Sequence, residues 1–188
     1  MLSVLDDPAI RAQIHAVSIS EYHAMIENGV LGPNIELIHG ALVEKMPKSP
    51  LHTSIVLRLV RFLSGQLPEG YTLRQEQPLT FHDSEPEPDL AVVSGTIDDY
   101  ERQHPQTAVL LVEVVISTET LDRKKLQLYA EAGVAECWLI LAEERVIERH
   151  TAPQGATYAQ VERVAFPASL QSAVFPGLAL PPAGLFPV

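Results

Sequence analysis

The sequence predicts a mixed α/β fold, a central mixed β-sheet flanked by helices. Three observations carry this. Two near-continuous apolar runs, Asp89 to Val93 and Ala108 to Ile116, have the length and β-branched content of buried strands. A polar-faced segment, about Glu119 to Ala132, separates the second run from another apolar stretch, Cys137 to Leu141, as in a strand–helix–strand crossover. Hairpin signals before and after this middle section add antiparallel strands to the sheet.

The elements follow in order. Ser20 to Asn28 reads as a helix with Ser20 as a candidate N-cap and Gly29 as its stop. Ile35 to Ile38 and Ala41 to Glu44 read as strands joined at His39-Gly40, a two-residue connection containing glycine. The helix pattern from Pro50 to Leu67 is the clearest: Leu51, Ile55, Leu59, Phe62 and Leu63 recur at helical spacing. Ser49 can cap its start, and Pro50 suits the first helical position. Short strands are expected at Tyr71 to Glu76 and Leu79 to His82, around Pro78, and Ile97 to Gln106 reads as a loop or short helix. The helix from Glu119 closes at Gly133. Arg145 to His150 and Tyr158 to Phe166 form a late antiparallel pair.

The length of 188 residues favours one domain, spanning 1–188, with an N-terminal extension over 1–19 and an uncharged tail over 165–188. Thirteen basic against 24 acidic residues give a net charge of −11, which argues against coating nucleic acid by bulk charge. One cysteine, Cys137, excludes an internal disulfide and a multi-cysteine zinc site, and a reducing cytoplasm is the expected setting. Met1 to Ile10 lacks the basic region of a secretory signal, and no window has the apolar length of a membrane span. The tail carries Pro167, Pro176, Pro181, Pro182 and Pro187 and no charge. It is expected to dock on the domain or on a second copy, so a homodimer closed by residues after Phe166 is an expectation.

The chemistry centres on one carboxylate in each of two greasy strands. Asp89 opens Asp-Leu-Ala-Val-Val, and Glu113 sits inside Val109 to Ile116. A buried carboxylate without a partner costs several kcal/mol, so something must compensate it. A shared divalent cation would, and oxygen donors of this kind select magnesium or manganese. The alternative is that each acid caps a loop or pairs with an arginine. The following helix brings Asp122, Lys125 and Tyr129 to one face at one-turn spacings. A lysine aimed at two carboxylates could polarise a water or stabilise charge on a pentavalent phosphorus. Periodicity alone does not choose between Lys124 and Lys125, and a solvated basic face is the other reading. Trp138 and Tyr129 read as core, and Cys137 as a small hydrophobe rather than a nucleophile.

These segments, Glu-Pro-Asp89-Leu-Ala-Val-Val, Val-Glu113-Val-Val-Ile-Ser117 and Asp122-Arg-Lys-Lys125-Leu-Gln-Leu-Tyr129 through Gly133 to Trp138, together resemble the bacterial "putative restriction endonuclease" domain family of the PD-(D/E)XK nuclease superfamily. Ile35 to Val43, Ser49 to His52 and Pro176 to Leu178 match the same pattern, so the resemblance covers about Ser20 to Phe186. It implies a restriction-endonuclease-like core with extra antiparallel strands. It implies Asp89, Glu113 and the backbone carbonyl of Val114 as ligands of Mg2+ or Mn2+. Val115 stands where the superfamily's strand lysine would be, and Lys125, four residues before Tyr129, is the matching lysine. Glu36 and His52 fall where the family often shows polar residues near the site; otherwise Glu36 is a surface strand residue and His52 a helix-start residue facing water.

The activity implied is metal-dependent endonucleolytic hydrolysis of DNA phosphodiesters without a covalent enzyme intermediate. Two departures stand against the pattern: His39-Gly40 replaces the usual Asp-Gly, and Glu136-Cys137-Trp138 with Leu141 replaces Glu-Tyr-Trp with a later Asp. With the acidic net charge they favour the alternative of a catalytically inactive dimeric binding protein on the nuclease fold. A metal-dependent hydrolase of small phosphodiesters is a third reading. Lys45 to Leu67 holds Lys45, Lys48, Arg58 and Arg61 and no acid, so one stretch could face phosphates, whereas His82 to Glu101 holds seven acids and no Lys or Arg.

Overall fold

The computed structural model describes residues 9, 13–116, 119–181 and 184–186. Most of the N-terminal extension, Ser117, Pro182 and Pro187 lie outside the described residues. The chain forms two compact units: Met1–Met46 with His82–Pro86, and Pro47–Phe81 with Glu87–Val188.

The first unit holds helix α1 (Ile19–Glu27) and the hairpin of β1 (Ile35–Ile38) and β2 (Ala41–Glu44). The N-cap of α1 is Ser18, not Ser20. Ser18 and Glu21 form a reciprocal capping box, which places the cap two residues earlier than the sequence suggests. The hairpin turn is where it was expected. His39 and Gly40 both take positive φ, 47° and 72°, as the two central residues of a type I′ turn must. A side chain at Gly40 would stand 2.6 Å from the Ala16 Cβ, so glycine is required there twice over. Leu37 bridges Glu85, the Tyr22 hydroxyl donates to the Ile35 carbonyl at 2.7 Å, and His23 meets the Glu85 carboxylate. Glu36 is buried in β1, so it is not a surface residue.

The second unit is built on a six-stranded sheet in the order β3 (Tyr71–Gln75), β4 (Leu90–Ser94), β5 (Leu110–Val115), β6 (Glu136–Leu141), β7 (Val146–Gln154), β8 (Thr157–Ala165). Every neighbouring pair is antiparallel except β5 and β6, which run parallel and are joined through α3 (Glu119–Glu131). The sheet is therefore mixed, as the crossover pattern implied. All six residues of β5 and of β6 are buried, which explains their continuous apolar runs.

Helix α2 (Pro50–Ser64) starts at Ser49, whose hydroxyl accepts from the His52 amide, and carries Pro50 at its first turn. Gly65 caps it, so it ends a few residues before Leu67. Its apolar stripe, Ile55, Val56, Leu59 and Leu63, shares one core with Leu90, Val92, Leu110, Val112, Val114, Trp138 and Ile140. Leu111, Glu113 and Val115 alternate with these and face the opposite side of the sheet.

The segment Leu79 to His82 is not a strand. Pro78 lacks an amide proton, and the Thr80 amide donates to the Pro105 carbonyl instead of a ladder partner. Ile97–Tyr100 is a short 3-10 helix.

The uncharged tail folds back on its own core. Leu170, Phe175, Leu178, Leu180, Leu185 and Phe186 are buried in the cluster that includes Trp138 and Val112. Two short strands, β9 (Leu170–Gln171) and β10 (Ala179–Leu180), pair antiparallel within it. Glu136 pins the tail: one oxygen accepts from the Ser172 hydroxyl and the Ala173 and Val174 amides, the other from the Trp138 indole. These large apolar side chains of the tail are thus covered by the same chain, while Pro167, Pro176 and Pro181 are exposed.

Candidate active site

The site sits where β4 begins and β5 ends. These antiparallel neighbours pair Leu90 with Val112; Asp89 immediately precedes β4 and Glu113 follows Val112 within β5. Their polar groups then interlock. The Asp89 amide donates to Glu113 Oε2 at 3.2 Å, and the Val114 amide donates to Asp89 Oδ2 at 2.8 Å. Each strand thus orients the acid of the other, and the two carboxylates are held beside one another at one edge of a greasy layer. Both are almost wholly buried.

The remaining oxygens meet cations. Lys125 Nζ stands 3.8 Å from Glu113 Oε1, and Lys48 Nζ stands 3.9 Å from Asp89 Oδ1. Both distances exceed hydrogen-bond length, so these are charge contacts rather than donor–acceptor bonds. Lys48 also pairs with Glu76 Oε2 at 2.7 Å. Among the described residues neither acid is tied to an arginine. The Tyr129 hydroxyl donates to Glu113 Oε1, and His52 Nε2 lies 3.0 Å from Asp89 Oδ2.

Helix α3 chooses between its two central lysines. Lys124 is exposed and Lys125 is buried against Glu113. Tyr129, one turn further on, is fully buried, so its ring is core while its hydroxyl serves the site. The structure therefore brings together Asp89, Glu113, Val114, Lys125, Tyr129 and His52. His52 is buried at the start of α2 and does not face water. Val114 presents its amide to Asp89. Glu36 belongs to the first unit and is described there.

Two residues escaped the sequence reading. Lys48 was visible only as part of a basic stretch. Glu76 was given no role, yet its amide donates to the Asp89 carbonyl and its φ of 51° turns the chain sharply after β3. A positive φ at a non-glycine residue leaves no mark in composition.

The electrostatics follow from burial. Desolvation pushes the Glu113 carboxyl up to about 8; Lys125 pulls it down, Asp89 and Asp122 push it further up, and the Tyr129 hydrogen bond lowers it. The buried Cys137 thiol is pushed well above its ordinary range, again first by desolvation, then by Glu113 and Glu136. It is no nucleophile at neutral pH.

The donor set suits a hard divalent cation. Two carboxylates share a desolvated edge, and that desolvation pushes the Glu113 carboxyl up despite the Lys125 ammonium nearby. Among the described residues no group of three or more His, Cys, Asp and Glu side chains is arranged as a metal cage. Any ion here would rely on two carboxylates and backbone or water oxygens. Among the described residues no helix is long and apolar enough to cross a membrane.

Comparison with known proteins agrees with this architecture. No curated protein matches the chain. The fold is similar to the crystal structure of a putative nuclease belonging to DUF820 from Anabaena variabilis ATCC 29413, with a TM-score of 0.72 and 21% identity over 86% of this chain and 96% of that one. At that identity the likeness speaks for the fold. The family model described as "Putative restriction endonuclease", Uma2, matches residues 19–183, nearly the whole sequence. The chain belongs to the Uma2 family of restriction-endonuclease-like proteins.

Proposed function

We propose that this protein is a magnesium- or manganese-dependent endonuclease that hydrolyses DNA phosphodiester bonds. The observation that supports the reading best is the interlocked pair: Asp89 and Glu113, each oriented by the other strand's backbone, with the Lys125 ammonium 3.8 Å from Glu113. Asp89, Glu113 and the Val114 carbonyl would hold the ion. Magnesium or manganese there would lower the pKa of a water and neutralise phosphate charge.

The remaining work falls to the chain. Lys125 directs its ammonium toward the edge where the carboxylates meet. It orients the attacking water or offsets charge as the phosphorus becomes pentavalent. Tyr129 fixes one oxygen of Glu113, and His52 and the Val114 amide fix one oxygen of Asp89. Burial on both strands keeps these groups rigid and strengthens each charge contact.

The test is cleavage of supercoiled plasmid and of single-stranded DNA with magnesium or manganese. Asp89→Ala removes cleavage. Lys125→Ala lowers it by roughly a hundred-fold or more, the usual cost of deleting a group that stabilises transition-state charge. Equal cleavage by the parent protein and both variants would identify a contaminant.

A second reading rests on the same lysines. Lys48 and Lys125 already place positive charge at the outer oxygens, which suits a resting site that has lost turnover and kept a binding role. Metal binding without cleavage of any nucleic acid would favour it.

A further inference from the structure

The solvent face of α2 and the residue run leading into it form a groove of about 790 Å³, lined by Lys48, Thr53, Ser54, Leu57, Arg58 and Arg61 among others. Ser54, Leu57, Arg58 and Arg61 lie at i, i+3, i+4 and i+7, so they form one stripe along the helix. Three of the lining residues are cations and none is an acid. In a chain of net charge −11, that is a local reversal of sign. Arg61 is exposed, and Leu57, which also lines the groove, is 56% exposed. Arg58 is half-buried and donates to the Gly184 and Leu185 carbonyls, so its guanidinium is anchored.

We infer that this groove is the track for the DNA sugar–phosphate backbone, leading it to Asp89. The connection is Lys48. It lines the groove and also stands 3.9 Å from Asp89 Oδ1, so one side chain belongs to both. A phosphate chain laid along Arg61, Arg58 and Lys48 reaches the acids from the cationic side. There the field opposes the repulsion that the rest of the surface exerts on a polyanion. The Thr53 and Ser54 hydroxyls add neutral donors for phosphate oxygens between the cations. This rests on the endonuclease reading for the identity of the substrate and for Asp89 as the end of the track.

Binding of a short fluorescent DNA duplex is measured across a salt series with the full chain, calcium replacing magnesium. The expected result is a linear fall of log affinity with log salt. Arg61→Gln flattens the slope by about 0.9 and weakens binding on the order of tenfold at 0.1 M salt, the counterion-release value for one phosphate contact. Arg58→Gln acts alike, and Arg61→Glu weakens binding further. Arg61 makes no hydrogen bond or ion pair among the described residues, so its replacement tests contact rather than folding. Unchanged affinity and slope in Arg61→Gln and Arg58→Gln overturn the inference, as does a parent protein that does not bind the duplex at low salt. A groove change that alters oligomeric state and leaves DNA affinity alone assigns the face to a second copy and also overturns it.

Plasmid cleavage by the parent separates this from the catalytic reading. If the parent with magnesium or manganese leaves plasmid and single-stranded DNA intact while the salt slopes respond as expected, the catalytic reading falls and the groove stands.

Discussion

Glu113 is held in a position where its charge is costly. Its carboxyl ionises near 8 in the metal-free fold instead of near 4.5 in the open chain, chiefly because it is desolvated. Between those two values the folded state keeps a proton that the unfolded chain gives up. Stability of the metal-free protein therefore falls as pH rises through this window and levels off above it. Glu113→Gln has no proton to lose. In chelator, the drop in thermal midpoint between about pH 5 and about pH 8 is expected to be smaller for the variant than for the parent. Groups away from this site titrate alike in both proteins, so the difference reads residue 113 and the charges it couples to. Identical drops would mean that Glu113 is ionised in the fold throughout. The residue was legible in the sequence because an acid inside Val109 to Ile116 breaks the apolar run. Its partners were less so. Tyr129 lies 16 residues away and His52 lies 37 residues from Asp89, and no local pattern reports contacts at that range.

At the scale of elements, the aim of Lys125 depends on where α3 begins. Arg123, two residues earlier, clamps that helix to β7: its guanidinium donates to Glu148 Oε2 at 2.8 Å and Oε1 at 3.1 Å. Glu148 also accepts from Arg163 on β8 at 2.6 Å. Burial alone would raise the Glu148 carboxyl, but the Arg123 bonds, with His150 and Arg163, hold it below its usual range. One buried acid thus ties the helix to the late hairpin. Glu148→Ala leaves two guanidinium groups without their acceptor. A loss of about 1–3 kcal/mol is expected in urea unfolding at an unchanged m-value, because the arginines are partly in water and recover some solvation. Cleavage by the folded variant is expected to fall as well, through a shifted α3. A stability within 0.5 kcal/mol of the parent, roughly the scatter of neutral surface changes, would show the clamp to be decorative. The hairpin was readable as a late strand pair, and α3 from its spacing. The clamp was not, since Glu148 carries no signal that separates it from the exposed Glu143 and Glu144 beside it.

For the whole molecule, the sheet was legible wherever strands are buried on both faces, since β5 and β6 declare themselves as near-continuous apolar runs, interrupted in β5 only by Glu113. The tail was legible only in part. Its lack of charge showed that it needs cover, and not whose. The structure supplies the cover from the same chain, because Leu170, Phe175, Leu178, Leu180, Leu185 and Phe186 lie in the core with Trp138. Burying an apolar side chain of this size is worth about 1.5–3 kcal/mol, so six are worth roughly 9–18 kcal/mol as an upper estimate. That matches or exceeds the whole stability of an ordinary domain, about 5–15 kcal/mol. A chain ended before Pro167 is therefore expected not to fold: it exposes the face of the sheet that carries Trp138 and leaves the Glu136 carboxylate without its Ser172, Ala173 and Val174 donors. Urea titration followed by Trp138 fluorescence reads this directly, since Trp138 is the single tryptophan and is fully buried. The expected trace has no cooperative transition. A cooperative unfolding curve from the shortened chain would move the tail from core to appendage. An appendage of uncharged residues would then need a second subunit to cover it, and the shortened chain would differ from the parent in mass by light scattering rather than in foldedness.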